Sequence, residues 1–567
     1  MSETSKLSPV EEIKEQSHYL RGAIPEELVD ENDHFGKESV QLLKHHGTYQ
    51  QDDRDQRKAA KASGGGKSHM FMVRTKLPGG RLTSSQMLEE LKLCDEIGND
   101  TLRITSRQGL QLHGVLKQNL HQTIHRINAA KMTTLGACGD VNRNVMCCPA
   151  PIKSAVYAEL RRMTDLIAEH LAPRSTAYHE IWLRDDATGE DTKVAQTDAE
   201  HVEPIYGRHY LPRKFKIGIA LPHDNCIDVY THDLGLLAIV EGDHVIGYNV
   251  IVGGGMGVTP SAKKTFPAIG QPMCFVSPDR ALDVIVAVVK VQRDFGNRED
   301  RKVARLKYLI ANWGLEEFRN KVAEYYGGHL EPLRDVDVYE FDDHMGWHEQ
   351  GDGRWFYGLN VENGRILDGE TFQLKSAIRE ICTTIQPGIH LTSHQSILFT
   401  DIEAVDKDRL MEILQRHHVV TSEDISIARR WSMACVAWPT CGLSITESER
   451  ALPGLIDALE GELERLGLAS ERFTIRMTGC PNGCARPYNS DIGLVGKTAG
   501  KYTIFLGGRL LGNRLNFLYK DLVPETDVVA ELVAVFKQFK SEREASESFG
   551  DFCHRKGVAA LLDWNED

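Results

Sequence analysis

Short β-branched runs with period-two alternation are interleaved with longer stretches whose apolar positions recur at helical spacing, the pattern of a mixed α/β protein. Two parts of the chain read alike. In the first, Gly80-Arg81-Leu82 is followed, after a helical segment, by RITSRQGLQLHG over Arg103–Gly114; in the second, Gly364-Arg365-Ile366 is followed by HLTSHQSILFTD over His390–Asp401. The shared core, x-T-S-x-Q, is predicted on a strand. Further on, each half has a strand running into a glycine cluster, VIVGGGMG at Val250–Gly257 and IFLGGRLLG at Ile504–Gly512. A helix is then predicted over Ala287–Asp300 and over Glu531–Glu544. The agreement in order and spacing points to an internal duplication, two α/β units with mixed sheets sharing one site. The halves differ informatively, because Arg103 and Arg107 of the first become His390 and His394 in the second.

Residues 1–65 break this pattern. They are rich in Glu, Lys, Gln, His and Asp, contain one amphipathic helix near Val10–Leu20, and end in a flexible stretch, Ala62–Gly66; the expectation is an arm or partner-binding segment, not a core. The GGGKS at its end resembles the tail of a phosphate-binding loop, but Lys61 stands where that loop needs glycine. No G-x-G-x-x-G fingerprint opens a βαβ unit, so the chain is not expected to bind a nicotinamide or flavin dinucleotide itself. The longest apolar run, Leu282–Val291, is interrupted and too short to cross a bilayer, and the N-terminus lacks the apolar segment of a signal peptide. The expectation is a soluble cytoplasmic protein. A chain of 567 residues predicts roughly three or four domains. The formal charge of -14 argues against nucleic acid, so an anionic substrate has to meet a local basic pocket.

Twelve cysteines in so long a chain are no disulfide framework, and the informative ones are clustered. Cys435 and Cys441 are spaced C-x5-C in RRWSMACVAWPTCGLS, and Cys480 and Cys484 are spaced C-x3-C in MTGCPNGCARP. Such thiolates suit an iron–sulfur cluster, with Pro481-Asn482-Gly483 folding the chain closely around sulfur. The competing reading is a four-thiolate zinc site, which the five-residue gap strains. A redox dithiol would need C-x-x-C. Cys147 and Cys148 adjoin each other and are left out of the site, because vicinal cysteines on an extended chain cannot easily both point at one metal.

The spacing C-x5-C followed by G-C-P-N-G-C, with N-R-N-V upstream and L-P-R-K-F-K between, resembles the sulfite and nitrite reductase hemoproteins from about residue 67 onward. The resemblance implies three domains with pseudo-two-fold symmetry: a small one from 67–136 with 345–421, a siroheme- and substrate-binding one over 137–344, and a cluster-binding one over 422–567. It also implies that Cys435, Cys441, Cys480 and Cys484 hold a 4Fe–4S cluster, with Cys484 giving the axial sulfur to siroheme iron. The activity implied is the six-electron reduction of sulfite to sulfide. The acidic arm resembles that of the NADPH-dependent members, which favours a diflavin (FAD/FMN) reductase subunit over ferredoxin as partner.

Siroheme carries eight carboxylates, so cations on rigid elements are needed. Residues 214 and 216 would project from one face of a strand, forcing two ammonium groups together unless an anion compensates. By the resemblance, Arg74, Arg143, Lys214 and Lys216 face bound sulfite, whereas Arg103, Arg107, Gln111 and His113 belong to the siroheme surface. The lysines would donate protons while Arg74 and Arg143 stabilise charge on oxygen. Nitrite is the rival substrate, against which Lys216 weighs because similar nitrite reductases tend to carry Asn there. A cluster protein without tetrapyrrole is the rival of another class, and the basic residues weigh against it.

Overall fold

The computed structural model describes residues 6–62, 64–175, 181–184, 191–195, 203–260 and 262–564. Its core is four five-stranded sheets in two matching pairs. In the first pair, one sheet runs Thr48–Asp52, His69–Thr75, Leu110–Val115, Leu102–Ile104 and Arg365–Ile366 in spatial order, and the other runs Gly346–Glu349, Trp355–Leu359, Ile397–Ile402, Gly388–Leu391 and Arg81–Thr83. Each therefore ends on a strand from the other half. The G-R-L and G-R-I tripeptides are these exchanged strands, Arg81 lying opposite His390 and Arg365 opposite Arg103. The preceding glycines make the crossing possible. Gly80 and Gly364 have φ of +74° and +76°, and a Cβ on them would sit 2.4 Å from the Leu391 carbonyl oxygen and 2.2 Å from that of Ile104.

The second pair of sheets is also duplicated. Met146–Cys147, Ile217–Ala220 and Leu234–Glu241 lie parallel and are extended by antiparallel His244–Val252 and Gln271–Val276. Ser432–Ala434, Ile475–Thr478, Ile492–Thr498, Lys501–Leu506 and Phe517–Pro524 repeat that order. The loops 221–233 and 479–491, which join the second and third strand of each sheet, have equal length and end in Asp-Leu-Gly-Leu and Asp-Ile-Gly-Leu. Each sheet is backed by the helix expected there, Ala281–Phe295 or Val528–Glu542, starting some residues earlier than the sequence pattern placed it. Val284, Ile285, Val288 and Val289 of the first are fully buried, each contributing roughly 1.5–3 kcal/mol by leaving water.

Three expectations need correction. Residues 6–52 are not a detached arm. The helix near the start is short, Pro9–Glu15, and the chain then turns through positive φ at His18, Tyr19 and Leu20. Leu20, Phe35, Leu42 and Leu43 enter the main apolar cores, and Thr48–Asp52 adds an edge strand to His69–Thr75. The charges that made the segment look solvated satisfy each other inside: Lys14 Nζ meets Glu11 at 2.7 Å and donates to the Leu211 carbonyl at 2.7 Å. Of the stretch Ala62–Gly66, Ser63 lies outside the described residues.

Secondly, T-S-x-Q forms a turn between strands. Thr105 Oγ1 accepts from the Arg107 and Gly109 amides at 3.2 Å each, and Thr392 Oγ1 from those of His394 and Ser396 at 3.2 and 3.0 Å. Gln108 and Gln395 then take φ of +51° and +67°. Thirdly, Lys214 and Lys216 precede the strand that begins at Ile217, in an extended run bridged to Asn142 through Phe215. The two-residue alternation survives, with Phe215 buried in the core and both lysines lining a cavity.

Gly364→Ala should lower the urea midpoint by the equivalent of about 2 kcal/mol or more, since both φ and the Ile104 carbonyl forbid a methyl. Gly353→Ala, at a φ of +87° in open space, should cost about 1 kcal/mol.

Candidate active site

The loop 479–491 carries Cys480 and Cys484, and the segment leaving Ser432–Ala434 carries Cys435 and Cys441. The Gly479 amide points at Cys435 Sγ from 3.3 Å and Asn482 Nδ2 at Cys480 Sγ from 3.4 Å, donors of the kind that stabilise charge on sulfur. Gly479 is forced, because a Cβ there would lie 2.2 Å from Ser444 Oγ. Burial, and then the neighbouring charge of Cys484, push Cys435 up to about 12 and Cys441 and Cys480 up to about 11. Three thiols whose ionisation burial opposes need a compensating cationic core if they are to serve as thiolates.

Among the described residues, these four cysteines form no group whose sulfurs come within 4.8 Å of one another, as the ligand atoms of single-ion groups elsewhere in the chain do. A multi-iron cluster, whose own bulk separates its ligands, requires no such close approach.

Cys484 is exposed and forms one wall of a cavity shared with Ser106, Arg107, Lys214, Lys216, Arg305 and Arg486. Ser106 Oγ donates to the Cys484 carbonyl at 3.0 Å, which fixes the first half's turn against the cluster loop. Neither Lys214 nor Lys216 has a carboxylate within ion-pair distance among the described residues. Burial, followed by Arg213 and Arg305, brings Lys214 down to about 7. Burial, followed by Arg107 and Lys214, holds Lys216 well below its ordinary range. Burial also brings Arg107 down to about 9; its Nη1 and Nη2 lie 3.2 Å from His232 Nδ1, and its Nε has no partner. Arg305 and Arg486 are paired with Asp233 at 2.7 Å and Asp228 at 2.6 Å, which leaves Arg107, Lys214 and Lys216 as the cations without an ion pair, a cradle for the anionic groups of a carboxylate-rich tetrapyrrole and an oxyanion.

Arg74, Gln111, Arg103 and Arg365 form one row across four strands of the first sheet. With its amide turned, Gln111 accepts from Arg74 Nε at 3.0 Å, while Arg74 Nη1 donates to Cys138 Sγ at 2.9 Å. Arg143 donates from Nε to the Gly139 carbonyl at 2.8 Å. Arg103 pairs with Glu449 at 2.8 Å and donates to the Ala434 carbonyl at 2.9 Å, beside Cys435. Its role here is to tie the first sheet to the cluster segment. His113 is buried with neither ring nitrogen partnered, and burial, then Arg365 and Arg103, hold it well below its ordinary value.

Several site residues escaped sequence reasoning because their partners are remote. Glu449 joins Arg103 to Arg365. Arg54, from the supposed arm, donates to the carbonyls of Cys441 and Ser444 at 3.0 and 2.6 Å and packs on Trp438, so it clamps the cysteine loop. Asp228 receives Arg476 at 2.8 Å and Arg486 at 2.6 Å. Burial works to raise the Asp228 carboxyl, but the two guanidiniums outweigh it and keep it well below the usual carboxylate range. The glycine cluster at 253–257 serves close backbone approach: a Cβ on Gly254 would strike the Tyr230 carbonyl at 2.2 Å, and one on Gly257 would come within 3.2 Å of the Asn482 carbonyl in the cluster loop.

A duplicated α/β scaffold setting four cysteines against a basic cavity with unpaired lysines defines a redox enzyme for an anionic substrate. The chain belongs to the nitrite and sulphite reductase family: the 4Fe-4S domain of that family matches residues 162–330 and 428–567, and its ferredoxin-like half domain matches 64–130 and 348–417. It is 43% identical to the NADPH sulfite reductase hemoprotein beta-component of Staphylococcus carnosus, over 99% of this chain and 98% of that one. It is equally 43% identical to the ferredoxin sulfite reductase of Synechococcus elongatus, over 99% of this chain and 91% of that one. The solved structure of the Mycobacterium tuberculosis NirA protein shares the fold, with a TM-score of 0.80 at 22% identity over 99% of this chain and 98% of that one.

Asp228→Asn should cost about 3–5 kcal/mol in urea unfolding, since it leaves two buried guanidiniums uncompensated. A loss below about 1 kcal/mol would show that solvent already screens the pair.

Proposed function

We propose that the chain is the catalytic hemoprotein of an assimilatory sulfite reductase, reducing sulfite to sulfide for cysteine synthesis in the cytoplasm. The observation that carries this reading is the pair Lys214 and Lys216, two amino groups without carboxylate partners facing the cavity that Cys484 lines. Cys435, Cys441, Cys480 and Cys484 would hold a 4Fe–4S cluster, and Cys484, the exposed one, would also ligate siroheme iron. When bound, this cofactor pair supplies electrons and an iron site for the sulfur of the substrate.

The protein's part is charge and protons. Sulfite takes up six electrons and seven protons to give hydrosulfide and three waters, so each departing oxygen must be protonated. Lys214, brought near neutrality, can hold and release a proton at working pH, and a bound dianion would restore charge to both lysines. Arg74 and Arg143 would bind the oxygens, with Arg74 held in place by Cys138 and Gln111. Arg107, Gln111 and His113 would border the tetrapyrrole, and Arg103 would support that surface through Glu449.

Electrons are proposed to come from NADPH through a diflavin flavoprotein, in keeping with the S. carnosus relative's name. Ferredoxin is the second reading, favoured by the equally similar S. elongatus relative. Among the described residues no helix is long and apolar enough to cross a membrane.

Lys216→Asn should lower sulfite turnover with a reduced dye donor about 10-fold or more and nitrite turnover less; equal losses would sink the assignment of Lys216 to substrate choice. Supplying the purified holoenzyme in turn with a diflavin reductase plus NADPH and with reduced ferredoxin should give sulfide only with the former. Turnover with ferredoxin alone would reverse the choice of donor.

A further inference from the structure

The loops 221–233 and 479–491 can be laid over each other without a gap, and Cys226 then falls on Cys484. Likewise Arg143-Asn-Val-Met-Cys-Cys148 lies over Arg430-Trp-Ser-Met-Ala-Cys435, so Cys148 falls on Cys435. The structure agrees. Each of these latter cysteines follows the edge strand of its sheet, Met146–Cys147 or Ser432–Ala434. Ser393 Oγ donates to the Cys226 carbonyl as Ser106 Oγ does to that of Cys484. The first half thus retains half of a thiolate set at the place where the second half holds its cluster. The other members are gone: Pro222 stands at the position of Cys480, and no cysteine occurs between Cys148 and Cys226.

Two other ligand-type side chains have moved in. Cys148 Sγ lies 2.7 Å from Asp224 Oδ2 and 3.4 Å from His344 Nε2, and His344 Nε2 lies 3.1 Å from Asp224 Oδ2. With Cys226 Sγ, these ligand atoms all fall within 4.8 Å of one another, and every one of the four residues is buried. Cys147, next along the extended chain, packs toward Gly79, so only Cys148 points into the group. We propose that Cys148, Asp224, Cys226 and His344 bind a single thiophilic divalent cation, zinc by preference, at the first half's counterpart of the cluster site.

Two sulfurs, an imidazole and a carboxylate are a complete tetrahedral set for zinc, leaving no open position for chemistry. The surroundings orient them. Asp342 Oδ2 faces His344 Nδ1 at 3.7 Å, the Cys226 amide donates to Asp224 Oδ1 at 3.1 Å, and the Ala150 amide donates toward Cys148 Sγ at 3.4 Å. The ligands come from the end of an edge strand, from the loop 221–233, and from the crossing into the second small sheet, up to 196 residues apart in the chain. A cation there is a structural staple.

The test uses the holoenzyme purified without chelators, incubated with equimolar zinc chloride and desalted. Metal analysis should give about one zinc per chain beside full cluster iron, with a zinc X-ray absorption spectrum showing about two sulfur and two lighter neighbours. The Cys148→Ser, Cys226→Ser double variant should lose the zinc, keep its iron and siroheme absorption, and melt several degrees lower. Zinc retained by that variant, no zinc in the parent, a four-sulfur shell indicating occupation of the cluster cysteines, or a Cys148–Cys226 disulfide by intact mass would each overturn the proposal. The spectrum of the parent decides alone if the double variant does not fold.

Discussion

Asp228 and Arg486 occupy equivalent places in the two loops 221–233 and 479–491, yet they meet each other at 2.6 Å. Equivalent residues of two repeats can touch only near the axis that relates them, so this ion pair marks the pseudo-two-fold. Arg486 also donates to the Ser106 carbonyl at 2.9 Å and the Ser393 carbonyl at 3.2 Å, which ties both T-S-x-Q turns to one guanidinium. It stands two residues beyond Cys484 in the chain. The cluster loop, the cavity and both halves are therefore registered against one another through a buried charge that neither half supplies alone.

Around that axis the two halves have diverged in charge. The first half presents Arg107 to an open cavity, whereas in the second His394 at the matching position is packed edge-on against Phe341 at 5.1 Å and lies near Trp431. Burial keeps His394 well below its ordinary value and His390 at about 4, so both are neutral at physiological pH. Aromatic filling and neutral imidazoles remove from one side the anion affinity that unpaired cations create on the other. A single polyanionic cofactor is what such a molecule can accommodate.

The parts legible in the sequence were those whose meaning is local. Cysteine spacing, the repeated T-S-x-Q, the alternation at Lys214 and Lys216 and the glycine cluster each carry their geometry within a few residues. What stayed hidden depends on distant partners. The pairing of Arg103 stayed hidden because nothing near it in the chain announces Glu449, and the segment before residue 52 looked solvated because Glu11 and Lys14 neutralise each other only once buried. T-S-x-Q read as a strand because its flanks are strands, while the turn is made by side-chain hydroxyls accepting backbone amides.

The exchanged strands Arg81–Thr83 and Arg365–Ile366 have a further consequence. Each half completes the sheet of the other, which is the arrangement of a swapped dimer written into one polypeptide. Cut apart, either half would expose a sheet edge and lose the opposite member of the ion pair, so it would have to find a second molecule at whatever concentration the cell provides. Joined, the two meet at the effective concentration set by their tether, and assembly no longer depends on how much protein is made. Covalent union also frees the halves from being identical, which a dimer of one chain cannot be.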